Sequence, residues 1–184
     1  MAIYSVVIKP NAALSERMMR LMRKLKAQYG ISRALDDPKG PHISILYAGE
    51  VEFEADSLEK MREICRRYKP IKLSVNGIGY FMKRMGKTRN YVVYLRPSCP
   101  KQLLRLYKEL KLSFRERNST GHHFFPHFSI ARTDIDKKIF YSILKNYGNL
   151  DFKAKFMVNH LYLCTYKGKG RPKKWKFTSI PLGK

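Results

Sequence analysis

Acidic residues are scarce in this chain. Its 14 Asp and Glu stand against 38 Lys and Arg, a formal charge of +24 over 184 residues. That imbalance rules out an electrostatically neutral surface, and the natural partner of such a field is a polyanion, RNA or DNA, the alternative being a merely solvated basic surface. Cysteine is nearly as sparse. Cys65, Cys99 and Cys164 are odd in number, far apart and without C-x-x-C spacing, which argues against both a disulfide framework and a zinc site and implies a reduced, cytoplasmic setting. No apolar run reaches 18 residues, and the opening Ile3 to Ile8 is too short for a signal peptide, so a soluble protein with no membrane partner is expected. Hydrophobic residues still make up 44% of the chain, enough for a core and too many for a disordered basic tail.

Against this background one short stretch occurs twice. Pro41-His42-Ile43-Ser44-Ile45-Leu46 and Pro126-His127-Phe128-Ser129-Ile130-Ala131 share a proline, a histidine, an apolar residue, a serine and another apolar residue. On a β-strand alternate side chains share a face. His42 and Ser44 would therefore point one way and Ile43 and Ile45 the other, with His127 and Ser129 likewise opposed to Phe128 and Ile130. Two imidazole and hydroxyl pairs facing one cleft make a site for acid–base chemistry on a phosphate.

The intervening residues support a duplication. A strand over Ile3 to Lys9 precedes a helix over Ala13 to Tyr29, whose Leu14, Met18, Leu21, Met22 and Leu25 fall at three- and four-residue spacing, with Gly30 as its stop. The first histidine strand ends near Gly49. A helix over Ala55 to Tyr68, a strand over Ile71 to Phe81 and a basic loop over Met82 to Asn90 follow. The second half replays this order: a strand over Tyr91 to Pro97, a helix over Pro100 to Phe114, the second histidine strand and a helix over Asp134 to Tyr147. A strand over Phe156 to Tyr166, a basic loop over Lys167 to Lys174 and a last strand over Lys176 to Pro181 close the chain. Tyr4 and His42 are 38 residues apart, Tyr91 and His127 are 36. The expected fold is α+β, one bilobal domain over residues 1–184 with interleaved repeats at about 1–81 and 91–184. Two mainly antiparallel sheets would flank a central groove, related by a pseudo-twofold axis, with helices outside. His122 and His123 read as loop residues and His160 as a structural strand residue.

These motifs resemble those of the 2H phosphoesterases, in particular the RNA 2′,3′-cyclic phosphodiesterases also called 2′-5′ RNA ligases. That family carries one H-x-[ST]-h motif in each half, h being apolar, matched here by His42-Ile43-Ser44-Ile45 and His127-Phe128-Ser129-Ile130. Both hydroxyl residues are Ser where Thr is commoner, but Ser supplies the same donor. The resemblance implies a metal-independent enzyme without cofactors that opens terminal 2′,3′-cyclic phosphates of RNA, tRNA fragments included, and in reverse forms 2′-5′ linkages. One of His42 and His127 would act as acid and the other as base, in an order the motifs leave open, and Ser44 and Ser129 would bond the non-bridging oxygens. A monomer is expected.

The substrate-binding candidates are softer. Arg132 suits a phosphate, but strict alternation puts it off the serine face unless the strand ends there. Phe125 shares the His127 face and fits base stacking or core packing equally. Lys83 and Arg84 in the first basic loop, and Lys169, Arg171, Lys173, Lys174 and the lone Trp175 at the second, form a candidate RNA edge. Two other classes stay open: an RNA-binding module with incidental activity, and a 2H enzyme acting on a small cyclic nucleotide or 2′-5′ oligoadenylate.

Overall fold

The computed structural model describes residues 2–51, 55–85, 88–114, 124–167 and 175–184. Among these, four helices and eight strands follow the expected order: β1 (Ala2–Ile8), α1 (Ala12–Tyr29), β2 (Ile43–Val51), α2 (Ala55–Arg66), β3 (Ile71–Met85), β4 (Thr88–Pro97), α3 (Lys101–Ser113), β5 (Phe128–Arg132), α4 (Lys137–Tyr147), β6 (Lys153–Val158), β7 (His160–Lys167) and β8 (Trp175–Pro181). The helix ends follow local chemistry. Asn11 caps α1 by accepting from Leu14 N at 2.9 Å, and Gly30 ends it in the left-handed region at φ 71°, where a side chain is penalised. Asp136 caps α4 by accepting from Ile139 N at 2.7 Å.

The strands form two antiparallel four-stranded sheets, ordered β2-β1-β7-β8 and β5-β4-β3-β6. Both have the same build, since β1 is flanked by the first histidine strand and β7 as β4 is flanked by the second and β3. The halves interleave: β3 closes the first half in sequence but joins the second sheet. The expected strand over Phe156 to Tyr166 is in fact two. The chain pairs with β3 up to Val158, passes Asn159 and pairs with β1 from Val7↔Tyr162 onward, so this one run ties the sheets together. Periodicity cannot show such a change of partner, because both strands alternate in the same way.

The basic loop expected over Met82 to Asn90 is also strand for most of its length. Lys83 pairs with Asn90 and Arg84 with Arg89, so the hairpin extends to Met85 and resumes at Thr88. Charge suggested a loop, whereas a strand needs only a partner in register, and residues 88–90 supply one. Buried side chains from both halves make one continuous core, running from Val6, Ile8, Met18 and Met22 to Leu103, Phe128 and Phe140. The α1 methionines are core, as their spacing implies. No helix among the described residues is long and apolar enough to cross a membrane.

Candidate active site

Both histidines stand one residue before their strands, not within them. The alternation holds regardless: Ile43 and Phe128 are fully buried, while His42, Ser44, His127 and Ser129 all line one groove of about 210 Å³ between the two halves. Each imidazole is fixed in the same way. His42 Nδ1 donates to the carbonyl of Gly40 at 2.8 Å, and His127 Nδ1 to that of Phe125 at 2.9 Å. A carbonyl only accepts, so Nδ1 carries the proton in both rings and Nε2 is left for proton transfer.

The ladder after each serine contains a bulge at the same place. Register runs Val7↔Ser44 then Val6↔Leu46, and Tyr94↔Ser129 then Val93↔Ala131, so Ile45 and Ile130 are each an extra residue. Two successive side chains are then buried in each motif, Ile45 with Leu46 and Ile130 with Ala131. The insertion resets the alternation. This corrects the reading that parity carries Arg132 away from the serines: after the bulge Arg132 returns to their side and lines the groove with Thr133, whose φ of 62° ends the strand. The paired apolar residues after each serine were the visible sign of it.

Arg132 is held there by Asp37, from the turn that precedes His42. The carboxylate of Asp37 is 5% exposed, is ion-paired with Arg132, accepts from Lys39 N at 2.9 Å and lies 3.5 Å from Lys39 Nζ. Ala34, Gly40, Asn90 and Val92 complete the lining. No motif marks them, because they arrive from two separate segments, the α1–β2 connection and β4.

Burial dominates the electrostatics of both imidazoles. It pulls His42 down to about 4, outweighing the opposite pull of the Gly40 carbonyl and Asp37. His127 is likewise lowered by burial, with Arg132 adding to the effect. Both are neutral at pH 7, and a phosphate anion entering the groove favours their protonated forms.

The remaining candidates divide. Phe125 is 54% exposed beside His127. Trp175 opens β8, with Lys39 Nζ 4.7 Å above its ring. Lys83 and Arg84 belong to the β3–β4 hairpin, and Lys169, Arg171, Lys173 and Lys174, like His122 and His123, lie outside the described residues. His160 begins β7 on the surface. Among the described residues no three His, Cys, Asp or Glu side chains cluster in a way that could hold a metal ion.

Two antiparallel sheets facing each other across paired histidine and serine residues define the two-histidine phosphoesterase class. The fold is that of known members. TT0787 of Thermus thermophilus superposes with a TM-score of 0.66 at 15% identity over 98% of this chain and 97% of its own. LigT of E. coli gives 0.63 at 14% identity over 100% and 99%, and Usb1 of Kluyveromyces marxianus 0.54 at 12% over 98% of each chain. No curated protein sequence matches. The model of the 2′-5′ RNA ligase superfamily matches residues 10–170, and the chain belongs to that family.

Proposed function

We propose that this protein is an RNA 2′,3′-cyclic phosphodiesterase that opens terminal cyclic phosphates without a metal, with 2′-5′ ligation as the reverse reaction. The observation that carries the reading is the matched pinning of His42 and His127 through Nδ1, which supports proton transfer by two Nε2 atoms at one groove. With a cyclic phosphate between them, His42, neutral because of its burial, takes the proton of the attacking water. The new P–O bond forms as the opposite bond to a ribose oxygen breaks, and His127, protonated once the anion is bound, gives its proton to that oxygen. Ser44, Ser129 and Arg132 stabilise the non-bridging oxygens as their charge grows. In the ligating direction the two histidines exchange roles.

The charge of +24 favours RNA over a small cyclic nucleotide as the substrate. E. coli LigT has been solved with 3′-AMP and with ATP, and nucleotide binding in the same groove is part of the reading here. The test is an oligonucleotide ending in a 2′,3′-cyclic phosphate, incubated with the purified protein and EDTA. Conversion to a single phosphomonoester isomer is expected. Activity lost on chelation and restored by a divalent ion contradicts the two-histidine mechanism.

A further inference from the structure

The two ends of the groove differ, although the motifs that build them match. Two residues before each histidine the chain has Gly40 in one half and Phe125 in the other. Across the ladder from the serines stand Val7 and Tyr94 respectively. The His42 end is thus lined by small and charged groups, with Trp175 set behind them under Lys39, while the His127 end gathers three rings. Phe125 stands edge-on to Tyr94 (centroids 5.5 Å apart, 86°) and to Phe81 (6.4 Å, 89°), and Phe81 in turn meets the His127 ring at 5.3 Å and 87°.

This brace is built at close quarters. Tyr94 is buried, and its ring lies across β3 over Gly79, where a Cβ would come within 2.5 Å of the ring carbons. A residue without a side chain is what lets Tyr94 lie there and prop Phe125 upright. Phe125 itself remains 54% exposed, against 5% for Tyr94. It is inclined only 31° to the His127 imidazole at 6.3 Å, so a flat group laid on its face lies alongside the histidine. A rigidly supported, open ring next to a phosphate groove in a strongly basic protein has the chemistry of a base-stacking platform.

We propose that Phe125 is the nucleobase subsite of the groove, a stacking face for the base of the nucleotide whose phosphate sits between His42 and His127. The proposal rests on the groove being a phosphate-ester site and orients the substrate, with the nucleoside on the His127 side. Stacking uses the π-face that every base has, so the subsite accepts all four bases.

Equilibrium binding of 3′-AMP and of inorganic phosphate to the wild type, Phe125→Ala, Phe125→Leu and Phe125→Trp tests it. Phe125→Ala should weaken 3′-AMP by roughly 5- to 100-fold while shifting phosphate by less than about twofold, and Phe125→Trp should restore 3′-AMP. Phe125→Leu retains an apolar side chain without a π-face and should lose most of the 3′-AMP affinity. Equal weakening of both ligands by Phe125→Ala, or full 3′-AMP affinity in Phe125→Leu, overturns the proposal. The readout does not need turnover: if the wild type opens no cyclic phosphate yet shows this ligand-selective loss, the catalytic reading fails and the subsite stands.

Discussion

Asp37 and Arg132, 95 residues apart in sequence, form an ion pair that joins the two halves of the chain at the groove. Asp37 belongs to the turn that also supplies the Gly40 carbonyl to His42, and Arg132 ends the strand that begins beside His127. The pair therefore couples the position of one histidine to that of the guanidinium on the opposite wall. A buried carboxylate in so basic a protein fits this positioning role, as its charge opposes the binding of any anion nearby.

Asp37→Asn keeps the shape of the side chain and removes its charge. Arg132 then keeps its charge in the groove but loses its anchor, so kcat should fall by roughly 10-fold while inorganic phosphate binds at least as tightly as before. Steady-state kinetics and phosphate titration read the two separately. Weaker phosphate binding with unchanged kcat would place the contribution of Asp37 elsewhere.

Burial of the two imidazoles sets the pH dependence. Both pKa values lie below the ordinary 6.5 in the folded protein, His42 at about 4, so the unfolded chain binds more protons in the window between. Stability is then fully present above pH 6.5 and is lost as pH falls from about 6.5 toward 4. Urea midpoints across pH 4 to 8 should show this decline, and His42→Gln should flatten it. For catalysis, kcat/KM should follow a bell whose optimum lies below pH 6.5, while the kcat profile lies at higher pH because bound phosphate raises both imidazoles. A kcat/KM profile with one ionisation would mean that one histidine takes no part in proton transfer.

Much of this fold was legible because its signals are local. The stop at Gly30, the methionine stripe of α1 and the alternation about His42 and His127 depend on neighbours a few residues away. What was hidden depended on partners. That Asn159 marks a change of sheet, that Lys83 and Arg84 extend a hairpin, and that Asp37 meets Arg132 are all set by segments distant in sequence. Arg132 lies between these cases: the bulge that returns it to the groove is written in Ile45-Leu46 and Ile130-Ala131, two adjacent apolar residues where strict alternation allows one.

In the proposed function the basic segment over Lys167 to Lys174 would serve affinity more than chemistry. Neutralising Lys169, Arg171, Lys173 and Lys174 together should weaken RNA binding and lower the slope of log K against log salt by roughly 3 to 4, about 0.7 to 0.9 for each phosphate no longer neutralised. Hydrolysis of a cyclic mononucleotide should be unaffected. Filter binding at several salt concentrations checks this, and an unchanged slope would remove the segment from the RNA-binding surface.

The most direct test of the central claim compares His42→Ala and His127→Ala with the wild type on one RNA ending in a 2′,3′-cyclic phosphate, measuring turnover and binding on the same preparations. Each substitution should lower kcat by roughly 10²- to 10⁴-fold while leaving RNA affinity nearly intact, because a placed proton donor or acceptor contributes to the transition state more than to binding. Wild-type turnover in either variant, or loss of RNA binding in parallel with activity, would contradict an account in which these two histidines carry the chemistry and the rest of the basic surface holds the RNA.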